Sequence, residues 1–155
     1  MDVNISLQDQ FAPELACFGC GPANPLGLQI KSFVHGDQVV AEFAPGLQHQ
    51  AYNGMVNGGI IGALLDCHMN WTAAWHLMEK LGLEQPPCTV TAKYSVTFAA
   101  PTPLEGPLQL VAWVGESSER RVDVKATLGV GDEVTAKGDG TFVSVKPGHP
   151  AYHRW

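Results

Sequence analysis

One carboxylate, that of Asp66, lies in the middle of an apolar stretch that runs from Met55 to Trp75. If this stretch is a helix, Asn57, two turns earlier, is a favoured N-cap. Gly58 and Gly59 then leave the first N–H groups of the helix uncovered by side chains. Such N–H groups suit a developing negative charge, and a buried carboxylate suits a general base or a nucleophile. The spacing predicts an oxyanion site and a carboxylate that flank one reacting carbonyl.

The helix face around Asp66 is built from small residues, whereas the bulky apolar residues mostly point elsewhere. This small-residue face marks a place where a strand, a second subunit or a ligand approaches closely. The alternative is a structural acid, held by Asn70 or by backbone donors of another element, because an unpaired buried carboxylate is costly. The face consists of Gly59, Gly62, Ala63, Asn70 and Ala73.

The helix is predicted from about Gly58 to Leu81, with Gly82 as its stop. A hairpin over residues 28–43, turning at 35–37, comes before it. Apolar and polar residues alternate over residues 88–98, and three further strand patterns follow, separated by short turns. Short turns require antiparallel pairing, so the pattern predicts an α+β fold in which the sheet wraps the helix. In the first strand after the helix, the predicted apolar face consists of Val90, Ala92, Tyr94, Val96 and Phe98.

The composition indicates one domain over residues 1–155, with an irregular segment at 1–26 and a peripheral tail at 147–155. An apolar fraction of 45% is enough for a core, and a net charge of −6 offers no general footprint for nucleic acid or an anionic membrane. No segment has the length and apolar character of a membrane span, and the first residues lack a signal-peptide pattern. We therefore expect a cytoplasmic protein with reduced cysteines.

Three motifs carry a resemblance to a known family: "NGGIIGALLD", the strand and loop "TVTAKYSVTFAAPTP", and the earlier "CFGCGPANPLGL". Together they resemble hot-dog-fold acyl-CoA thioesterases of the phenylacetyl-CoA-thioesterase-like branch, from about Cys17 to about Val145. The resemblance implies an antiparallel sheet of five to six strands wrapped around one central helix. It also implies a homodimer, or a tetramer, with active sites at the subunit interface. The implied reaction converts an acyl-CoA into a free acid and CoA, with no separate cofactor.

The resemblance also implies roles for individual residues. Asp66 matches the catalytic carboxylate, as nucleophile or as the base that activates water, and the Gly58 N–H matches the group that polarises the thioester carbonyl. Thr91 falls where a hydroxyl from the facing subunit assists the attacking water. Asn57 stands where many members have His. Asn can cap the helix and donate a hydrogen bond to a carbonyl, but it cannot shuttle a proton.

Other residues are candidates for contact with the substrate. His49 lies in the loop that the resemblance brings towards the active site, and its alternative is a surface or packing role. Gly59 and Asn70 flank the acid. Positive charge is scarce in this chain, so the cations could meet CoA phosphates, although solvated surface is the simpler interpretation for each alone. These cations are Lys93, Arg120, Arg121 and Lys137.

Cys17 and Cys20 have the spacing of half a zinc knuckle or of a redox pair. No second such pair completes a site in the sequence, so packing is the preferred interpretation and no metal is expected. Two rival functions remain. A hot-dog hydratase is disfavoured because its Asp-x-x-x-x-His pattern is missing, and a non-catalytic acyl-CoA-binding module stays open because of Asn57.

Overall fold

The computed structural model describes residues 4–155, so residues 1–3 of the segment predicted to be irregular lie outside it. One long helix and six strands confirm the predicted α+β architecture, and a short helix lies inside the segment that was expected to be irregular. None of the helices in the described part of the chain has the length and hydropathy to span a bilayer. The elements are α1 (Leu7–Phe11), β1 (Ser32–His35), β2 (Gln38–Phe43), a 3₁₀ turn (Leu47–His49), α2 (Gly58–Leu81), β3 (Thr89–Phe98), β4 (Leu108–Ser117), β5 (Arg121–Val130) and β6 (Glu133–Ser144).

The six strands form one antiparallel sheet in the order β1-β2-β4-β5-β6-β3. Helix α2 packs across its inner face, where alternate side chains such as Leu110, Val124 and Phe142 are fully buried against it. Strand β3 follows the helix in the chain but pairs only with β6, so it forms one open edge of the sheet. The acid on the helix therefore lies beside a sheet edge.

Helix α2 has the bounds predicted from the sequence because both of its ends are capped. The Asn57 side-chain oxygen accepts the N–H groups of Gly59 at 2.8 Å and Ile60 at 3.2 Å. At the other end Gly82 adopts the left-handed conformation, with φ of 63°, that suits glycine best. These caps fix where the first free N–H of the helix lies.

The predicted faces of β3 are wrong in its first half. The register shifts between Thr91 and Lys93, so Ala92 is an extra residue that reverses the alternation of the side chains. Thr91 pairs with the buried Phe142, and Tyr94 pairs with Gly140 on the same inner side. The bulge thus turns two threonines towards the helix, on the same side as the later aromatic residues. The residues on this side are Thr89, Thr91, Tyr94, Val96 and Phe98.

The tail was expected to be peripheral, but its last residue packs on the core. The Trp155 ring stacks on Trp71 of α2 with a centroid distance of 4.7 Å. Its Nε1–H donates to the carbonyl oxygen of Pro86 at 3.1 Å. Trp71 is 1% exposed, so the tail closes the surface over a core side chain.

A buried polar network fastens α1 and β1 to the central helix. His68 donates from Nε2 to the carbonyl oxygen of Val39 at 2.9 Å, because a carbonyl can only accept. Its Nδ1 therefore accepts the Ser32 hydroxyl at 2.8 Å. The Gln8 amide in turn donates to the Ser32 oxygen at 2.9 Å. Burial lowers the pKa of His68 to about 4, which keeps the ring neutral in this network.

Ser32→Ala is expected to lower the free energy of unfolding by about 2 kcal/mol, because it leaves the buried His68 Nδ1 and one Gln8 proton without a partner. Urea unfolding followed by circular dichroism measures the change. Ser95→Ala, at an exposed position of β3, is the matched control and should shift the midpoint little. Equal midpoints for the two variants would contradict this assignment.

Candidate active site

Asp66 is half-buried on α2, with its carboxylate held by a hydroxyl of the neighbouring edge strand. Thr91 donates from Oγ1 to Asp66 Oδ1 at 2.7 Å. No other hydrogen bond to this carboxylate comes from residues 4–155. The bulge at Ala92 is what brings Thr91 to this side of the sheet. One carboxylate oxygen is thus fixed, and the other is left for water or substrate.

The resemblance placed Thr91 where a hydroxyl from the facing subunit assists the attacking water. In the structure its hydroxyl contacts the Asp66 of its own chain. The two residues therefore form a pair within one chain.

Asn70, one of the two holders that the structural alternative offered for Asp66, does not contact its carboxylate through a hydrogen bond. One turn further along α2, its Oδ1 accepts the Thr89 hydroxyl at 2.7 Å, and its Nδ2 donates to the Thr89 carbonyl at 3.4 Å. A second helix-to-strand pair thus lies beside the first. This pair fixes β3 against the helix and leaves the acid dependent on Thr91.

Burial raises the pKa of the Asp66 carboxyl above its usual range, although the hydrogen bond from Thr91 opposes the shift. A negative charge on Cys17 would raise the pKa further, and the Arg154 guanidinium lowers it. A carboxyl with a raised pKa is a stronger base when it is ionised. The raised pKa therefore distinguishes the Asp66 carboxyl from an ordinary surface acid.

The start of α2 presents an N–H group without a partner. The Gly59 and Ile60 N–H groups are bonded to the cap, but that of Gly58 has no hydrogen-bond partner within residues 4–155. Gly58 lines a pocket of about 390 Å³, together with Tyr52 and Phe98. A carbonyl oxygen that enters this pocket can meet the free N–H and the positive end of the helix.

His49 lies next to the helix start. Its carbonyl oxygen accepts the Asn57 N–H at 2.7 Å, and its ring Nδ1 accepts the Gly46 N–H at 2.9 Å. The ring packs against Phe43 with a centroid distance of 5.5 Å. These contacts give His49 a structural role in the loop and place it close to the capping residue.

The oxyanion donor and the acid of one chain lie far apart on the helix. Gly58 and Asp66 are eight residues apart on α2, which separates them by about 12 Å along its axis. This separation favours a site that takes the two groups from different subunits, as the resemblance implies.

Two aromatic side chains of the edge strand lie over the helix glycines. A Cβ on Gly58 would lie 3.4 Å from Phe98 Cζ, and a Cβ on Gly62 would lie 3.4 Å from Tyr94 Oη. Phe98 is nevertheless 53% exposed and Tyr94 43% exposed. The small residues of α2 thus leave room for Tyr94 and Phe98. These two side chains form an exposed aromatic patch along the open edge of the sheet.

The expected phosphate-binding cations do not meet Asp66 in the same chain. Arg121 lies on the outer face of the sheet, since Val122 beside it is buried, and it pairs with Asp123 at 3.2 Å. The hydrogen bond from Thr141 is the main cause that lowers the pKa of Asp123, and the nearby Lys93 lowers it further. The sheet therefore separates Arg121 and Lys93 from the acid of their own chain. Arg120, in the turn before β5, donates to the Ser144 carbonyl at 2.8 Å.

Arg154 is a candidate that sequence reasoning missed. It is the tail residue whose charge acts on Asp66, and its buried Nε has no hydrogen-bond partner in the described part of the chain. Its guanidinium also lies 4.5 Å from the centroid of the Trp155 ring. No local pattern in the tail signals this position, because it depends on the stacking of Trp155 on the helix.

The chain is similar to several solved structures, three of which are compared with it by identity, coverage and TM-score. A thioesterase superfamily protein from Shewanella loihica PV-4 is 31% identical, with a TM-score of 0.66 over 81% of this chain and 98% of that one. A Bacillus halodurans protein, whose structure was solved with CoA, is 24% identical, with a TM-score of 0.61 over 77% of this chain and 76% of that one. The E. coli PaaI protein of the phenylacetic acid degradation operon is 14% identical, with a TM-score of 0.65 over 77% and 81%.

The latter two likenesses concern the fold alone. No protein-family model matches the chain, and no curated protein matches it. The sheet wrapped around one long helix, shared with these structures, confirms the predicted hot-dog fold.

Proposed function

Because the chain belongs to the thioesterase superfamily, we propose that it hydrolyses acyl-CoA thioesters to a free acid and CoA. The observation that carries this proposal is the hydrogen bond from Thr91 to a half-buried Asp66 on the small-residue face of α2. A carboxylate oriented by a hydroxyl, with one oxygen left open, is an arrangement suited to activating water. CoA enters as part of the substrate.

In the proposed reaction Asp66 is the base. It takes a proton from water as the water oxygen bonds to the thioester carbon, and a tetrahedral oxyanion forms. Collapse of this intermediate breaks the C–S bond, and the leaving CoA thiolate takes the proton back from Asp66. In the nucleophilic variant the Asp66 carboxylate bonds to the thioester carbon, the C–S bond breaks, and the CoA thiolate leaves and takes a proton from solvent. Water then hydrolyses the resulting anhydride, which releases the acid and regenerates the Asp66 carboxylate. Both routes need a donor for the oxyanion, which we assign to the Gly58 N–H.

In a homodimer the Gly58 N–H and the Asp66 carboxylate of one active site can come from different subunits. If two helices run antiparallel across a twofold axis, Gly58 of one subunit lies opposite Asp66 of the other, and the symmetry creates two equal sites. The open edge of β3 and its exposed Tyr94 and Phe98 supply a surface that a second copy can cover. We therefore propose that each active site combines the two subunits.

In the proposed reaction the oxygen and the nitrogen of the Asn57 side-chain amide have different roles. Its side-chain oxygen is occupied by capping, but its Nδ2 has no hydrogen-bond partner among residues 4–155. The amide can therefore donate to the thioester carbonyl beside the Gly58 N–H. Proton transfer is left to Asp66, because an amide does not titrate.

The function is tested by incubating the purified protein with acyl-CoAs of different chain length and aromaticity in the presence of a thiol reagent. Release of free CoA above the uncatalysed rate supports hydrolysis. Tight binding without release would instead support the acyl-CoA-binding module that Asn57 leaves open. Light scattering after size-exclusion chromatography should give twice the chain mass of 16.6 kDa, and an active monomer would contradict the shared site.

Thr91→Val is expected to lower kcat by about 10- to 100-fold with little change in KM, since it removes a hydrogen bond to a charged group that orients the base. Thr91→Ser keeps the hydroxyl and should restore most of the rate. Initial rates at saturating acyl-CoA measure the change. If valine and serine give the same kcat, Thr91 does not position the acid.

A further inference from the structure

Three of the four cysteines meet at one point beside the central helix. Cys17 and Cys20 come from the irregular segment before β1, and Cys67 comes from α2. Their three Sγ atoms all lie within 4.8 Å of one another, and all three are free thiols. Cys67, which sequence spacing did not connect with the other two, completes the cluster. Cys88 is a free thiol outside it.

The separation of the sulfur atoms matches that of metal ligands better than that of a disulfide. Cys17 Sγ and Cys67 Sγ are 3.8 Å apart. Tetrahedral zinc with Zn–S bonds of about 2.3 Å places its sulfur ligands about 3.8 Å from one another. A disulfide would require an approach to about 2 Å. The third sulfur, that of Cys20, lies within 4.8 Å of both.

The backbone of the Cys17–Cys20 loop packs closely against the Cys67 sulfur. A Cβ on Gly19 would overlap Cys67 Sγ, so a glycine is required for the loop to close over the sulfur from the helix. The loop therefore holds its two cysteines within 4.8 Å of the Cys67 sulfur, where three thiolates can bind one metal ion.

One side of the cluster is sealed, and the other is accessible. Cys20 is 2% exposed, and its Sγ accepts the Trp71 Nε1–H at 3.3 Å. Cys17 and Cys67 are half-buried. Three converging sulfurs with one accessible side provide three ligands and leave a fourth position open for water.

We propose that Cys17, Cys20 and Cys67 bind one zinc ion through three thiolates, with water in the fourth position. The ion replaces the thiol protons and fastens the irregular segment to α2 at the residue after Asp66. The zinc proposal does not rest on the proposed hydrolysis, and its test does not use activity.

The test uses Co²⁺ as a spectroscopic probe on the reduced full-length protein after treatment with a chelator. Three-thiolate tetrahedral coordination should give strong visible d–d bands and a near-ultraviolet charge-transfer band. The titration should end at one Co²⁺ per chain, and Zn²⁺ should abolish the bands. Zn²⁺ should also raise the thermal unfolding midpoint by several degrees.

Single cysteine variants distinguish metal binding at this cluster from adventitious metal binding elsewhere. Cys17→Ser and Cys67→Ser should lose the tetrahedral spectrum and the thermal shift, whereas Cys88→Ser should keep both. Circular dichroism checks the folding of each variant, and the half-buried Cys17 gives a second test if Cys67→Ser does not fold. A reduced wild-type chain without thiolate bands would overturn the proposal, as would an unchanged spectrum in Cys17→Ser.

Discussion

Asp66→Asn is expected to lower kcat/KM for acyl-CoA hydrolysis by about 10²- to 10⁴-fold, the range typical of losing a positioned general base. The amide oxygen can still accept the Thr91 hydroxyl, so the local geometry is kept. What disappears is the capacity to take a proton or to attack the carbonyl. Initial rates of CoA release measure the effect.

The loss should not come from unfolding. Burial raises the pKa of Asp66, so a neutral amide at this position should leave stability at neutral pH unchanged or slightly higher. Asp123→Asn, on the outer face of the sheet, is the matched control and should keep the rate. An Asp66→Ala protein with near-full activity would refute the catalytic role.

Gly58→Pro is expected to lower kcat by about 10²- to 10³-fold, the usual cost of removing one oxyanion donor. Gly58 is the first residue of α2, where proline is well accepted and where the missing N–H has no helical partner. Asn57 before it is extended, with φ of −62° and ψ of 135°, as a residue before proline should be. The substitution therefore removes the donor and leaves the helix intact.

Gly58→Ala is the matched control, because it adds a side chain but keeps the N–H. Its Cβ would meet Phe98 Cζ at an ordinary contact distance of 3.4 Å, so most of the activity should remain. Steady-state rates of the two variants are compared at saturating substrate. Equal losses in alanine and proline would assign the effect to crowding and remove the N–H from the mechanism.

The two variants together test whether the site is shared between subunits. When Asp66→Asn and Gly58→Pro chains are refolded together in equal amounts, random pairing makes about half of the dimers mixed, and each mixed dimer has one intact site of two. About a quarter of wild-type activity should return in the mixture. No recovery, despite mixed dimers detected by differential tagging, would show that one chain holds the whole site.

Much of the fold follows from local signals. Asn57 and Gly82 mark the ends of α2 because capping depends on neighbouring backbone groups, and the turn signals separate the strands correctly. Ala92 shows the limit of such patterns. A bulge depends on pairing with β6, which lies over forty residues away in the chain. One extra residue reversed the side on which Thr91 lies.

The candidate site was only partly visible in the sequence for the same reason. Asp66 and Gly58 stand out through their positions on one helix, and helical geometry places them about 12 Å apart along its axis. Cys67 and Arg154 gave no signal, because their neighbours come from distant parts of the chain. Long-range contacts of this kind are set by packing rather than by spacing.

The stacking of Trp155 on Trp71 gives the protein an optical label. Two indole rings 4.7 Å apart and inclined by 28° couple their electronic transitions, and such coupling is visible in circular dichroism. The signal vanishes when the rings separate. Trp71 also donates to Cys20 Sγ, so its fluorescence is sensitive to the state of that sulfur. One residue can therefore report on both the position of the tail and the chemistry of the cysteine cluster, without an added dye.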